Sequence, residues 1–342
     1  MSELSATASP MMLLAGTANP ALAERIAREL DRPLCDVTIK RFADGEIFVR
    51  INENVRGRDV FIIQPTNPPG DNVLELLILI DAAKRASAAR VTAVVPYYGY
   101  ARQDRKDQPR VSIAAKLMAN LITAAGADRL LSIDFHQHQL QGFFDIPVDH
   151  LYAAPVLTGR YREMELEQPV VVATDVGAAK MARGYAQRLG EASLAIIDKR
   201  RPGPNVAEVS NVVGDVDGRP CLIVDDMIDT AGTMAGAVTA LKERGATRVY
   251  CVATHALLSG PAIERLANVD VEEVAVTDTI AIPASKRAAL PSLRIMSVAD
   301  LLARAIENTH FSRSVSSLFN GDSSEDEDTG VGLRAVATDR EA

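Results

Sequence analysis

The stretch Cys221-Leu-Ile-Val-Asp-Asp-Met-Ile-Asp-Thr-Ala-Gly-Thr233 decides the fold of this chain. Its first four residues predict a buried strand that ends in paired acids. A turn of small residues then leads to a predicted helix, Thr233–Arg244, closed by Gly245. Ligands of open α/β sheets bind beyond the carboxyl ends of strands, where N–H groups at a turn and a helix N-terminus attract anions. Because Asp225 and Asp226 repel an anion, they must instead meet hydroxyls or a metal.

A ligand with a phosphate at one end and a diol close by satisfies both parts of this string. Ribose 5-phosphate is such a molecule. The competing interpretation is a capped helix with surface aspartates, which Asp225-Asp226 alone would favour. The complete string favours the ligand site.

Outward from the string, short apolar runs alternate with helical segments. This alternation is typical of parallel sheets covered on both faces. Strands are predicted at Met11–Ala15, Val60–Gln64, Val91–Pro96, Arg129–Ile133, Val170–Ala173, Leu194–Asp198, Cys221–Val224 and Arg248–Ala253. Helices are predicted from Asn19, as N-cap, to Leu30, from Asp71, as cap, to Ala86, and at Val111–Ala125, Gly177–Leu189 and Thr233–Arg244. A final strand and helix within Ser292–Ile306 could return to the first domain.

A repeated pattern of secondary structure predicts two similar α/β domains. Arg58–Tyr97 and Arg219–His255 both read as strand, loop, helix and strand at nearly the same spacing. All βαβ units share this order, but the matched spacing favours a duplication. We therefore predict domains at 1–153 and 154–319, followed by a disordered acidic tail at 320–342.

Composition excludes several classes of protein. The 342 residues carry a net charge of −8, which argues against general nucleic-acid binding, and the tail alone accounts for −5. The sequence has no apolar stretch long enough for a membrane span and no signal peptide. The three cysteines form no CxxC pair, so we expect buried thiols in a reducing cytoplasm. The GxxxxGK[ST], GxGxxG, HExxH and GxSxG motifs are missing, so the usual signatures of Walker-type ATPases, dinucleotide enzymes, zincins and serine hydrolases are absent.

Five further segments carry a resemblance to a known family. They are Arg41-Phe-Ala-Asp-Gly-Glu46, Ile51-Asn-Glu-Asn-Val-Arg-Gly57, Tyr97-Tyr-Gly-Tyr-Ala-Arg-Gln-Asp-Arg105, Gln141-Gly-Phe-Phe-Asp-Ile-Pro-Val-Asp149 and Ile197-Asp-Lys-Arg-Arg-Pro202. With the 221–233 string, which is similar to the ribose-phosphate motif of phosphoribosyltransferases, they resemble ribose-phosphate pyrophosphokinases of the main bacterial-type class. The resemblance runs from about Leu13 to Phe319, with the motifs in the family's order and spacing.

The resemblance implies two phosphoribosyltransferase-type domains, each a mostly parallel sheet flanked by helices. It implies transfer of the diphosphoryl group of MgATP to the 1-hydroxyl of ribose 5-phosphate. The products are 5-phosphoribosyl 1-diphosphate and AMP, for nucleotide, histidine and tryptophan biosynthesis. It further implies Mg²⁺ as cofactor, a homohexamer, a cytoplasmic location, and neither nucleic-acid nor membrane partners. Such a transfer needs charge neutralisation and in-line positioning rather than covalent chemistry.

The resemblance also implies roles for individual residues. Lys199 and Arg201 match the catalytic pair of a mobile loop, and Arg201 is expected to lie near ribose 5-phosphate as well. The implied ATP site contains Arg102, Gln103 and, from a neighbouring subunit, Asp44, Gly45 and Glu46. The implied ribose 5-phosphate site contains Asp225, Asp226, Asp229, Thr230, Ala231, Gly232 and Thr233. The implied metal site contains His136 and Asp175, with Asp134, Asp145 and Asp149 as secondary candidates.

Without the resemblance, plainer interpretations compete with these roles. Asp44-Gly45 predicts a hairpin turn, and Lys199-Arg200-Arg201 is typical of a solvated surface. Magnesium generally avoids imidazole, so His136 is expected to act through a water or a nucleotide phosphate.

Four residues depart from the family pattern. His138 is an extra histidine, Met181 stands where arginine is common, and Ala178 and Ala231 stand where glycine is usual. If Ala178 needs a positive φ, its side chain costs about 1 kcal/mol.

Two other functions compete with the implied one. A phosphoribosyltransferase would consume the activated sugar and would not need the segments around Arg102 and Lys199. A non-catalytic regulatory subunit should have lost them.

Overall fold

The computed structural model describes residues 9–190, 192–203 and 206–318, and for 199–203 and 206–210 it describes the backbone alone. The predicted acidic tail, 320–342, lies outside the described residues.

A parallel sheet forms the centre of the first half of the chain. The strands β1, β4, β5, β6 and β7 lie side by side in that order, and all are parallel. The strands β2 and β3 form a separate antiparallel hairpin. The elements are β1 (Met11–Ala15), α1 (Pro20–Glu29), β2 (Val37–Arg41), β3 (Ile47–Ile51), β4 (Asp59–Ile63), α2 (Asp71–Arg85), β5 (Arg90–Val95), α3 (Ala114–Ala125), β6 (Arg129–Ile133) and β7 (Val148–Leu151).

The second half of the chain builds a wider sheet. Its order is β10-β9-β8-β11-β12-β13-β14, parallel except for the antiparallel pair of β9 with β10 at one edge. The elements are α4 (Ala154–Glu163), β8 (Val170–Ala173), α5 (Ala179–Arg188), β9 (Ser193–Gly203), β10 (Val206–Val213), β11 (Cys221–Ile228), α6 (Gly232–Glu243), β12 (Val249–Ala256), α7 (Ala262–Ala267), β13 (Glu273–Thr277), α8 (Ala284–Ala289), β14 (Leu293–Met296) and α9 (Ala299–His310). Short 3₁₀ turns lie at His138–Phe143 and Ser316–Leu318.

The fold class predicted from the sequence is confirmed, because both sheets are mostly parallel and helices cover them. Helix α1 starts as expected, with the Asn19 side chain accepting a hydrogen bond from the Leu22 N–H at 3.3 Å and Pro20 as its first residue. The cap predicted for α2 is wrong, because Gly70 is the N-cap and Asp71 is the first helical residue. The Asp71 carboxylate instead pairs with Arg41 at 2.8 Å.

A β-hairpin arm replaces the predicted loop after residue 198. Strand β9 continues to Gly203, and its outer part pairs with β10, with Lys199 opposite Val209 and Arg200 opposite Glu208. The proline and glycine that suggested a loop, Pro202 and Gly203, come only at the end of this strand. Backbone pairing therefore includes Lys199 and Arg200, and the register shifts beyond them, between Glu208 and Val206.

The two sheets share one apolar core. A single buried cluster takes Leu13 and Ile63 from the first sheet, Val171 and Leu222 from the second, and Leu302 from α9. The opposite face of each sheet has its own cluster. Helix α9 packs against α1, so the end of the described chain does return to the first half. The domain boundary at 153/154 stays a prediction.

Other expectations from composition can be compared with the structure directly. The thiols of Cys35, Cys221 and Cys251 are free and buried, as predicted. Within the described ranges, we find no helix that is both long and apolar enough to cross a membrane.

Candidate functional site

Paired acids at the end of a central strand form the middle of the candidate site. Strand β11 runs four residues further than predicted, so Asp225 and Asp226 lie within it rather than after it. The Asp225 carboxylate accepts hydrogen bonds from the Thr174 hydroxyl at 2.9 Å and from the Asp226 N–H at 2.9 Å. Asp226 is 6% exposed. The two carboxylates are therefore held rigidly below the surface.

These neighbouring carboxylates ionise very differently. Burial, together with the charge of Asp226, raises the pKa of Asp225 to about 7. Burial opposes ionisation of Asp226 as well, but the hydrogen bond and charge of His136 hold the pKa of Asp226 below its usual value. Asp226 is thus the charged member of the pair at neutral pH. The ionisation of Asp225, whose pKa lies near neutral pH, is sensitive to a nearby hydroxyl or cation.

His136 connects the first sheet to these acids. It follows β6, and its Nδ1 lies 2.8 Å from Asp226 Oδ2. The hydrogen bond to Asp226 raises the pKa of His136. A residue assigned to the metal site therefore contacts one assigned to the ribose site, and the contact crosses between the two sheets.

The turn predicted as an anion site lies directly before α6. Gly232 opens α6, a helix of 12 residues, so its free N–H groups face the turn. The Arg265 guanidinium donates to the Thr230 carbonyl at 2.9 Å and supports the turn from α7. Asp229 pairs with Arg102 at 2.8 Å. Partial burial opposes ionisation of Asp229, yet hydrogen bonds from Ser259 and Arg102 lower its pKa.

Backbone strain lies at Ala231 and not at Ala178. Ala231 has a φ of +59°, in the left-handed region that disfavours side chains. Ala178 has a φ of −79°, which any residue adopts. Only Ala231 therefore occupies a conformation that explains why glycine is usual there.

A cavity of about 380 Å³ lies beside Arg102 and Gln103. His136 lines it too, and the same histidine contacts Asp226 of β11. The hairpin tip with Asp44, Gly45 and Glu46 is not part of this lining. Its hydrogen bonds are local: the Glu46 N–H donates to the Asp44 carboxylate at 3.1 Å. Within one chain, the structure brings Arg102 and Gln103 to the site and leaves the hairpin tip outside it.

The acidic metal candidates comprise Asp175, which was predicted with His136 as a ligand, and the secondary candidates. Asp175 accepts a hydrogen bond from the Ala178 N–H at 3.1 Å at the start of α5. The three secondary candidates have other partners: Asp145 lies 3.8 Å from Lys116, Asp149 lies 2.7 Å from Arg129, and the buried Asp134 accepts from the Thr254 hydroxyl at 2.6 Å. Among the described residues, no three His, Cys, Asp or Glu side chains are grouped closely enough to hold a metal ion.

The carboxylate-bound histidine nevertheless fits a divalent cation. Histidines that bind metals generally have their other ring nitrogen on a carboxylate, as His136 has on Asp226. Magnesium also takes few protein ligands and keeps waters and substrate phosphates. A cluster of three protein ligands is therefore not required.

Two departures from the family pattern belong to a neighbouring cavity. His138 and Met181 line a space of about 250 Å³ with Lys180 and Arg188, and neither Asp225 nor His136 lines it. Burial and the charge of Lys180 lower the pKa of His138. His138 is therefore an uncharged residue of the adjoining cavity at neutral pH.

Sequence reasoning missed several supporting residues. Thr174, Ser259 and Arg265 contact the acids or the turn but belong to no quoted motif. Thr174 could have been considered, because it directly follows a predicted strand, Val170–Ala173, at the end where ligands of such sheets bind. Arg265 could not, because it lies 35 residues beyond the carbonyl that it contacts.

Comparison with known proteins identifies the family. Residues 11–126 match the N-terminal domain of ribose phosphate pyrophosphokinase, and residues 201–320 match the phosphoribosyl synthetase-associated domain. The ribose-phosphate pyrophosphokinase of Chlorobaculum tepidum is 53% identical over 313 residues, which cover 91% of this chain and 96% of that protein. That of Chromobacterium violaceum is 53% identical over 312 residues, covering 91% and 95%.

A solved structure agrees with these matches. The crystal structure of phosphoribosylpyrophosphate synthetase from Mycobacterium smegmatis superimposes with a TM-score of 0.83 at 46% identity, covering 89% of this chain and 100% of that one. Both the sequence and the fold therefore match over most of the chain. This chain belongs to the ribose-phosphate pyrophosphokinase family.

Proposed function

We propose that the cleft between His136 and the turn before α6 is where this chain joins its two substrates. As in its family, the chain is an enzyme that makes 5-phosphoribosyl 1-diphosphate from ATP and ribose 5-phosphate. The observation that carries the location is the His136–Asp226 contact of 2.8 Å. It brings the strand ends of both sheets to one point, where ligands of such sheets bind.

Ribose 5-phosphate is proposed to bind along Asp225, Asp226 and the turn from Asp229 to Thr233. Its phosphate would meet the free N–H groups at the start of α6, where the helix dipole favours negative charge. Its hydroxyls would donate hydrogen bonds to the two carboxylates. Asp226 is positioned for this role because His136 keeps it ionised.

ATP is proposed to occupy the cavity beside Arg102 and Gln103. A guanidinium there can hold phosphate in a bidentate manner or stack on adenine. The hairpin tip, Asp44 to Glu46, would come from a neighbouring subunit of a homohexamer. This arrangement is consistent with the position of the tip outside the cavity lining within one chain.

Lys199 and Arg201 are the proposed catalytic residues. Their side chains lie outside the described part of the structure, and the backbone places both on the β9 arm. Their charges would stabilise the β-phosphate and the leaving AMP as the 1-hydroxyl oxygen bonds to the β-phosphorus. Closure of the arm over the substrates would also exclude water.

A divalent metal takes part, as is general for this kind of enzyme. We propose that the metal is Mg²⁺ and that His136 and Asp175 hold it, His136 through a water or a nucleotide phosphate. When bound, Mg²⁺ supplies charge neutralisation on the transferred diphosphoryl oxygens. Location in the cytoplasm, and the lack of nucleic-acid and membrane partners, stay predictions of the sequence.

Product analysis tests the proposal. The pure protein should release AMP from ATP only when ribose 5-phosphate and Mg²⁺ are both present. ADP from the same mixture would mean attack at the γ-phosphorus and would overturn the reaction. Consumption of 5-phosphoribosyl 1-diphosphate with a nucleobase would favour a phosphoribosyltransferase, and no turnover would favour a regulatory subunit.

A further inference from the structure

The residue that leads into His136 has an unusual backbone. Asp134 follows β6 and has a φ of +38°, a conformation that residues with side chains rarely adopt. Its side chain is buried. Strained residues of this kind persist only where the surrounding contacts over-determine them.

Several hydrogen bonds hold Asp134 in place, and two of them come from the other sheet. Its carboxylate accepts from the Thr254 hydroxyl at 2.6 Å and from the Ala153 N–H at 3.0 Å. Its carbonyl oxygen lies 3.0 Å from His255 Nε2. Thr254 and His255 are neighbours on β12, so the second sheet grips both the side chain and the backbone of Asp134.

The chemistry fixes the proton on His255. A carbonyl oxygen only accepts, so Nε2 of His255 carries the hydrogen and donates it to Asp134. The Nδ1 atom then accepts from the Thr279 hydroxyl, 3.0 Å away. Both ring nitrogens of His255 are therefore used, and the ring is held in one orientation.

His136 contacts the strand next to β12. In the β11–β12 register, Ala253 is opposite Asp225 and His255 is opposite Met227. Strand β12, which holds Asp134, thus lies beside β11, which carries Asp226, and Asp226 contacts His136, two residues after Asp134. We propose that Thr254 and His255 are positioning residues, which hold the strained Asp134 turn so that His136 reaches Asp226. This inference rests on the proposed function of the site.

These hydrogen bonds are proposed to set the position of His136 and not only to stabilise the fold. A purely structural role would lower the stability of the fold when a bond is removed and leave the remaining folded enzyme fully active. A positioning role would lower kcat in enzyme that is folded, because His136 would no longer be fixed beside Asp226.

Thr254→Val removes the hydroxyl while nearly preserving the volume of the side chain. We expect kcat to fall by roughly 10- to 100-fold, as when the partner of a metal-site histidine is lost. The KM values for both substrates should stay within about twofold. Thr254→Ser keeps a hydroxyl and should restore most of kcat. Thr92→Val is the matched control, because the buried Thr92 hydroxyl on β5 has no hydrogen-bond partner among the described residues.

A double-mutant cycle separates the two roles. In an His136→Ala background, Thr254→Val should have no further effect on kcat, because its effect passes through His136. An equal loss in both backgrounds, or an unchanged kcat in the single variant, would overturn the proposal. Should Thr254→Val fail to fold, His255→Phe takes its place in the cycle, since it removes the donor and keeps a ring against Tyr97.

A crystal structure of the variant tests the inference without any activity. The distance from His136 Nδ1 to Asp226 Oδ2 should lengthen beyond hydrogen-bonding range in Thr254→Val. An unchanged contact would refute the positioning role. If the wild-type protein makes no AMP, the proposed function fails, while this distance still decides the positioning role.

Discussion

The Nη1 atom of Arg102 lies 2.8 Å from Oδ2 of Asp229, although the two residues are 127 positions apart. This ion pair joins the loop proposed to bind ATP to the turn proposed to bind ribose 5-phosphate. Half of the Arg102 side chain is exposed, at 52%. Exposed pairs stabilise a fold by only about 0–1 kcal/mol, so removal of this pair should cost little stability.

Arg102→Ala should therefore weaken ATP binding without unfolding the protein. Losing a charged hydrogen bond to the nucleotide costs about 1.5–3 kcal/mol, which is roughly a 10- to 150-fold rise in KM for ATP. Steady-state kinetics with melting curves measure both effects. Arg85→Ala is the control, because Arg85 pairs with Asp81, four residues earlier on the exposed side of α2. Equal KM values in the two variants would remove Arg102 from the site.

Asp225→Asn should weaken ribose 5-phosphate binding more than ATP binding. At an assay pH of about 8, where Asp225 is ionised, the neutral amide loses a charged hydrogen bond to a sugar hydroxyl, again about 1.5–3 kcal/mol. The ratio of the two KM values, measured against Asp81→Asn on the surface, is the informative quantity. A KM for the sugar equal to that of the wild type would contradict the assignment.

The same substitution should raise stability at alkaline pH. The pKa of Asp225 is raised to about 7 in the folded protein, mainly by burial. The folded state thus holds this proton more tightly than the unfolded state, so ionisation of Asp225 costs stability as pH rises from about 4 to 7. Asp225→Asn should melt higher than the wild type at pH 8, and the gap should close toward pH 4. A constant gap would show that the carboxyl does not titrate in this window.

Lys199→Ala should lower kcat by roughly 100- to 1000-fold, the loss expected when one preorganised charge of about 3–4 kcal/mol is removed. Its KM values and melting temperature should change little. Arg201→Ala should act similarly and also raise KM for ribose 5-phosphate. Arg200→Ala is the control, since the family resemblance assigns it no role. A loss below about tenfold for Lys199→Ala would contradict its catalytic assignment.

Two alanines give a matched pair for backbone strain. Ala231→Gly relieves a positive φ and should raise the free energy of unfolding by up to about 1 kcal/mol. Ala178→Gly, at the N-cap of α5 with an ordinary φ, relieves no strain, and the freer unfolded chain should lower this free energy by about 0.4–1 kcal/mol. Urea unfolding measures both. The same sign for both variants would show that φ does not control the outcome.

The apolar pattern predicted the strands well because it records burial. Residues 170–173 and 221–224 are continuous apolar runs, and both are buried neighbours in the sheet. The pattern could not place the end of β11, because Asp225 and Asp226 are polar residues that stay in the strand through contacts with Thr174 and His136. Tertiary contacts, which the local sequence does not encode, decided that boundary.

The sequence allowed individual residues to be proposed for the site, but it did not predict the contacts between them. The turn from Asp229 to Thr233 follows from local chemistry, since small residues and a helix start suffice to predict an anion site. The Arg102–Asp229 and His136–Asp226 contacts join distant parts of the chain. No periodicity predicts which residues meet across two sheets. The β9 arm was missed because a basic cluster beside proline also suits a loop.

The return of α9 to the first half has a consequence for synthesis on the ribosome. His310 Nδ1 meets Asp59 Oδ2 at 2.7 Å across 251 residues, and α9 supplies part of the core that covers β1. At about 5–20 residues per second, Asp59 on β4 waits roughly 12 to 50 s for His310 to be synthesised. During this interval the apolar face of the first sheet is open to chaperones and to other nascent chains. Early termination of translation therefore releases a fragment with an incomplete core, which is prone to aggregate.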